Sequence, residues 1–185
     1  MEYNYNENNH THFVKTDKFK TNTISIRFAS NIDRSRVTSR VLLPSLLYSG
    51  SAKYDSKRKI NLFMEKQFDA SIGFSMSKLG LSSVISVSLS FVSDSYLSKP
   101  ILGEMVDFLK ELIYKPNVTD GSFRKESVNE EKRLLKEYFE SIKDDKSEYA
   151  LREMKSLMYS DEEFGISPIG YLEDQIGRAS CRERV

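Results

Sequence analysis

Apolar and polar positions switch between a period of two and a helical spacing along the chain. Ile24, Ile26 and Phe28 alternate with Ser25 and Arg27, the pattern of a half-buried strand. Residues His12–Lys15 are predicted to pair with it through a turn at Thr16–Thr21. Asp33 is a candidate N-cap for a helix with Val37, Val41 and Leu42 or Leu43 on one face. Pro44 is expected to kink or end that helix. Leu46, Leu47 and Tyr48 continue the apolar face, and Gly50 closes it. Asp55 or Ser56 opens a second helix carrying Ile60, Phe63, Met64 and Phe68.

A β-pair is expected next, with arms at residues 70–78 and 82–92 and a turn at Leu79-Gly80. In its second arm Ile85, Val87, Leu89 and Phe91 alternate with Ser86, Ser88 and Ser90. From Lys99 onward the pattern is helical. Ile101, Met105, Phe108, Leu109 and Leu112 mark one helix, which Pro116 stops. Thr119 or Asp120 begins a long helix with Phe123, Leu135, Tyr138, Phe139 and Ile142 apolar. Tyr149, Met154, Leu157 and Met158 mark a third. The order β-β-α-α-β-β-α-α-α indicates an α+β fold, an antiparallel sheet covered by helices.

Composition narrows the class. The 185 residues carry 28 Lys+Arg against 27 Asp+Glu, so a net charge of +1 provides no global field for nucleic acid or an anionic membrane. No apolar run reaches the roughly 18 residues needed to cross a bilayer. The polar start MEYNYNENNHTHF has no basic n-region and no apolar h-region, so a cytoplasmic setting is expected. Residues 1–9, rich in Asn, are expected to be a disordered start, and residues 10–175 a C-terminally truncated first domain. Residues 176–185 back-translate into a common short-read sequencing adapter that runs into an in-frame stop, so they are expected to lie outside the fold. Cys181, the one cysteine, falls in that tail, which leaves the remainder without thiol or disulfide chemistry.

Candidate chemistry is sparse. His10 and His12 share a face if extended and could chelate a metal, but they need a third ligand, and surface histidines are the plainer reading. With two His in the chain, a general base elsewhere would be a carboxylate, Lys or Tyr. There is no Gly-x-Ser-x-Gly elbow and no phosphate-binding Gly-rich loop. Glu126, Glu130, Glu131, Glu137 and Glu140 are interleaved with Arg124, Lys125, Lys132, Arg133 and Lys136, the composition of a solvated helix face. Met105, Met154 and Met158 fall at core spacing.

Four segments in order carry a resemblance. Val41-Leu-Leu-Pro-Ser-Leu-Leu-Tyr-Ser-Gly-Ser51 resembles the first helix of the pitrilysin/insulinase-type (inverzincin) zinc metallopeptidase superfamily, which bears His-x-x-Glu-His in active members. Tyr54-Asp-Ser leads into the second helix. Phe123 to Glu131 resembles the helix that supplies the distal Glu ligand, and Glu163-Phe-Gly-Ile-Ser-Pro-Ile-Gly170 resembles a His-Pro-Tyr-Gly segment. The resemblance covers residues 12–175. Tyr138–Tyr149, with Ile142-Lys-Asp-Asp-Lys146, looks closest to a bacterial branch associated with 5-aminopentanol modification of elongation factor P.

Anchored on Gly50, the ligand and base positions of that motif fall on Val41, Pro44 and Ser45. None can ligate zinc or take a proton from water, and one carboxylate at Glu130 or Glu131 cannot hold a catalytic ion alone. The resemblance therefore implies the fold without the activity: no catalytic residues, no cofactor and no metal. It also implies a heterodimer with an active zinc peptidase homologue, enclosing a chamber in which peptide or protein adds to a sheet edge. Two other readings stand beside it. One is an active zinc peptidase whose site lies in a missing half, and the other is a stand-alone binding or scaffold domain.

Overall fold

A computed structural model describes residues 2–7 and 10–177. The architecture is α+β, with antiparallel sheets and helices. Strand β1 (Glu2–Asn6) pairs antiparallel with β2 (Thr11–Lys15), Tyr3 opposite Val14 and Tyr5 opposite His12. Residues 2–6 therefore form a strand rather than a disordered start, and β2 takes β1 as its partner rather than the strand at Ile24. The reason lies in the alternation of Tyr3 and Tyr5 with Asn and Glu. It gives the hairpin one aromatic face, on which Tyr5 stacks on His12 at 4.5 Å between ring centroids. Met1, Asn8 and Asn9 are outside the described residues.

The main sheet contains β3 (Thr21–Asn31), β4 (Ser71–Leu79) and β5 (Ser82–Val92) in the order β3-β5-β4. Gly80 and Leu81 form the two-residue hairpin loop, with Gly80 at φ +59°. In register, Ile24 faces Leu89, which faces Ile72, and Ile26 faces Val87, which faces Phe74. This apolar face packs on two helices, α2 (Lys57–Lys66) and α3 (Leu102–Tyr114). Ile60, Met105 and Leu112 are fully buried there with Val87 and Leu89. The opposite face is a lattice of small polar groups. Thr23, Ser90 and Ser71 make one row, and Ser25, Ser88 and Gly73 the next. The alternation in β5 thus separates a core side from a polar side.

Helix α1 spans Val37–Tyr48 and continues through Pro44. The expected stop at Pro44 is not realised. Proline removes the one helical bond its N–H would give to Arg40, but Pro44 is buried, and packing on both sides keeps the helix together. Arg40 also ties the helix to the sheet, its Nε donating to Ser83 Oγ at 3.2 Å. Asp33 does not cap α1 directly. Its carboxylate accepts from the Ser35 amide at 2.8 Å, building the turn that leads into the helix, while its carbonyl accepts from the Val37 amide. Gly50 follows the helix end, where a Cβ would meet the Asp55 carbonyl carbon at 2.9 Å. Phe68 lies beyond α2 and is exposed.

Two short strands, β6 (Val118–Thr119) and β7 (Ser122–Phe123), stand where a helix start was expected. Asp120 and Gly121 both take positive φ, 53° and 73°, so they make a primed hairpin turn instead. Helix α4 then runs Lys125–Ile142. Helix α5 (Lys146–Met158) is capped by Asp145, whose side chain accepts from the amides of Ser147 and Glu148. Its Tyr149, Met154, Leu157 and Met158 are exposed, against the expectation that Met154 and Met158 belong to the core. Met105 is buried as expected. The last described element, α6, is Leu172–Gly177, so its backbone passes the expected boundary at 175 by two residues. Residues 178–185, Cys181 included, are outside the described residues. Among the described residues no helix is long and apolar enough to cross a membrane.

Candidate functional site

Helices α1 and α4 pack against each other. Leu42, Leu46 and Leu47 of α1 meet Leu135 of α4 and Phe123, with Val41, Leu43, Phe74, Val128 and Phe139 packed around them. The i, i+3, i+4 spacing puts Val41, Pro44 and Ser45 on one face of α1. Val41 and Ser45 are half-buried and Pro44 is buried. That face offers an isopropyl group, an imino ring and one hydroxyl.

On α4, Glu130 is exposed and Glu131 is 6% exposed. Glu131 Oε1 accepts from Lys57 Nζ at 2.7 Å. A carboxylate buried without a partner is costly, and the partly exposed Lys57 ammonium offsets that cost. Lys57 reaches it because of the turn before α2. Ser51 is fully buried, its amide donates to the Tyr54 carbonyl at 2.7 Å, and its Oγ accepts from the Tyr54 amide at 3.0 Å. The Ala52 amide bonds the Lys115 carbonyl, so the turn is fixed against the end of α3. The other acidic side chains of α4 behave as a solvated face. Arg133 pairs with Glu137 and Lys136 with Glu140, each one helical turn apart. Sequence reasoning placed Glu131 in that face and, together with Glu130, as a candidate for the distal position. The distinguishing signal was present, since Glu131 stands three residues after Val128 and four before Leu135, on the apolar stripe.

His10 and His12 are brought together on the β1–β2 hairpin with tyrosines, not with a third ligand. Tyr3 OH lies 2.6 Å from His12 Nδ1, and Tyr5 OH 3.3 Å from His10 Nδ1. Among the described residues no group of three His, Cys, Asp or Glu side chains could hold a metal ion.

The Glu163–Gly170 segment docks at the N-terminal end of α1. Gly170, at φ +79°, lies against Thr38, where a Cβ would come within 2.6 Å of Thr38 Oγ1. Thr38 Oγ1 accepts from the Tyr171 amide at 3.0 Å and donates to Asp174 Oδ2 at 2.7 Å. Arg34 donates to Asp174 at 2.6 Å and to Glu173 at 3.2 Å, with its guanidinium 3.5 Å over the Tyr171 ring. None of these contacts was foreseen, because residues more than 130 apart in sequence carry no local pattern.

Helix α1 also packs against β4. Beyond β4 no further strand pairs with the main sheet among the described residues.

No family model matches the chain. It is 27% identical over 165 residues to the "Probable inactive metalloprotease YmfF" of Bacillus subtilis (strain 168), covering 88% of this chain and 39% of that protein. Among solved structures, a conserved protein from Enterococcus faecalis V583 superposes with a TM-score of 0.87 at 33% identity, covering 92% of this chain and 40% of that one. A peptidase M16 inactive domain from Pseudomonas fluorescens superposes with a TM-score of 0.65 at 17% identity, over 91% of this chain and 38% of that one. The chain therefore spans about 40% of the length of these relatives. In sequence the chain resembles a probable inactive metalloprotease, and in fold a peptidase M16 inactive domain.

Proposed function

We propose that the chain belongs to a catalytically silent, pitrilysin-like subunit that binds peptide or protein and completes a chamber with an active zinc peptidase homologue. One arrangement carries this reading. Glu131, one of the two candidates for the distal-ligand position, is paired with Lys57 at 2.7 Å, and Val41, Pro44 and Ser45 at the motif positions on α1 offer no ligand or base. The Lys57 ammonium satisfies the Glu131 carboxylate by itself. The names of the relatives support the same conclusion, one a probable inactive metalloprotease and one a peptidase M16 inactive domain.

Peptide capture needs no catalytic group. An extended peptide can add to the outer edge of β4 through main-chain hydrogen bonds, beside α1. We place the protein in a bacterial cytoplasm and link it to elongation factor P modification. That setting rests on the likeness of Tyr138–Tyr149 to the corresponding branch.

Purification of the full-length protein from its own cells tests the partnership. The expected result is a stable complex with a homologue that contains zinc and His-x-x-Glu-His. Recovery as a homogeneous species with no such companion contradicts it and favours a stand-alone binding domain.

A further inference from the structure

Residues 163–174 cross from the main sheet to α1 and are held at two points. At the first, Lys78 near the end of β4 sends its ammonium into a turn of main-chain carbonyls. Its Nζ donates to the carbonyls of Glu163 at 3.3 Å, Phe164, and Ile166 at 3.0 Å. The same ammonium lies 4.7 Å from the centroid of the Phe164 ring. Burial lowers the Lys78 pKa from its ordinary value. At the second point, Gly170 and Tyr171 lock against the buried Thr38, and Arg34 clamps Asp174.

The two points differ in kind. The Thr38 contact is a close backbone approach inside the protein. Around Lys78, by contrast, none of residues 159–169 is buried. The turn's other contacts are local, to its own neighbours and the end of α5: the Gly165 amide bonds the Glu162 carbonyl, the Ile166 amide bonds the Glu163 carbonyl, the Ser167 amide bonds the Tyr171 hydroxyl, Gly165 lies close against the Tyr159 carbonyl, and Phe164 touches Tyr159 edge-on. Behind the segment, toward the end of α5, lies a cleft of about 490 Å³ lined by Arg34, Ser156, Tyr159, Glu163, Ile166 and Tyr171.

We propose that residues 163–174 form a strap over this cleft, with Lys78 as its releasable latch and the Gly170–Thr38 contact as its fixed hinge. One positive charge supports three acceptors at once, so its loss frees the whole turn together. A segment with few buried apolar contacts opens locally without unfolding the sheet beneath it.

Hydrogen exchange on the protein and its Lys78→Met and Lys78→Arg variants tests the latch. Lys78→Met should speed exchange at the Gly165 and Ile166 amides by roughly tenfold or more, the size expected for losing charge-assisted bonds. The Tyr171 amide, held by Thr38, and the Leu89 amide in β5 should keep their protection. Lys78→Arg, which retains charge and donors, should stay close to the parent. Unchanged exchange at Gly165 and Ile166 would overturn the proposal. So would a parallel rise at Leu89, which makes Lys78 a general stability element, or at Tyr171, which removes the hinge.

Discussion

Lys57 Nζ lies 2.7 Å from Glu131 Oε1, joining α2 to the buried side of α4. Glu131 has 7% of its side chain exposed and Lys57 39%, so removing the lysine strands a desolvated carboxylate, while removing both does not. Lys57→Met should lower the urea unfolding free energy by about 2 kcal/mol, below the value for a fully buried pair because Lys57 is partly solvated. The double variant Lys57→Met/Glu131→Leu should recover most of the loss. A double-mutant cycle with no coupling between the two positions would contradict the pairing.

The Gly170 contact with Thr38 gives a second expectation. Gly170→Ala puts a methyl group 2.6 Å from Thr38 Oγ1 at a φ of +79°, a clash and a backbone strain together. We expect a loss of about 1–3 kcal/mol, read as a lower melting temperature. Gly103→Ala, where a Cβ meets nothing within 4 Å and the site is helical, should be neutral or slightly stabilising. Equal effects at the two glycines would show that the approach to Thr38 is loose.

Acid sensitivity follows from three exposed carboxylates. The Ser35 hydroxyl and amide hold Asp33 below the ordinary value of 3.8. The Lys59 ammonium does the same for Asp55. Glu104 is held below 4.5 by Lys99, whose own pKa is raised in return, and by Gln67. A depressed carboxylate pKa adds stability above the unfolded value, and that stability is lost as pH falls through the folded one. For Lys99 the sign is opposite: its share is present below 10.5 and is lost as pH rises past the raised value. Unfolding free energy should therefore be flat near neutrality and fall below pH 4.5. Glu104→Gln should make the fall shallower, and high salt should shrink the difference. An identical pH profile for Glu104→Gln would exclude the Lys99 pairing in solution.

Much of the fold was legible because strands β3 and β5 alternate cleanly, which fixes their faces, whereas the pairing of β3 with β5 was not legible, since β3 was expected to pair with residues 12–15. Ile60, Met105 and Leu112 were legible for the helical equivalent of that reason. The misreadings have local causes. Asp120-Gly121 is a hairpin turn signal that an apolar helix pattern overran. In α5, helical spacing identified an apolar face but could not say that Leu157 and Met158 lie exposed, since periodicity reports which side is apolar and not what covers it. At the candidate site, Val41, Pro44 and Ser45 were singled out by the resemblance anchored on Gly50, while the expected break at Pro44 hid that they share one face of a continuous helix. The Lys57–Glu131 pair was not legible, because its partners are 74 residues apart and meet through tertiary packing.

Peptide capture at the β4 edge predicts a specific sensitivity to ligand backbone chemistry. Extended peptides should bind with affinities that tolerate side-chain changes but fall by tenfold or more when alternate amides are N-methylated, roughly the loss of one or two main-chain bonds. Fluorescence anisotropy with labelled peptides reads this directly. Binding that is indifferent to N-methylation would move the peptide site away from the sheet edge.

The central claim is that Glu131 is neutralised by Lys57 and that the facing helix brings no ligand to it. Metal analysis of the full-length protein, purified without chelators and dialysed against zinc, tests that claim most directly. We predict zinc well below one equivalent per chain, unchanged in Glu131→Gln. One tightly held equivalent that is lost in Glu131→Gln would contradict the account.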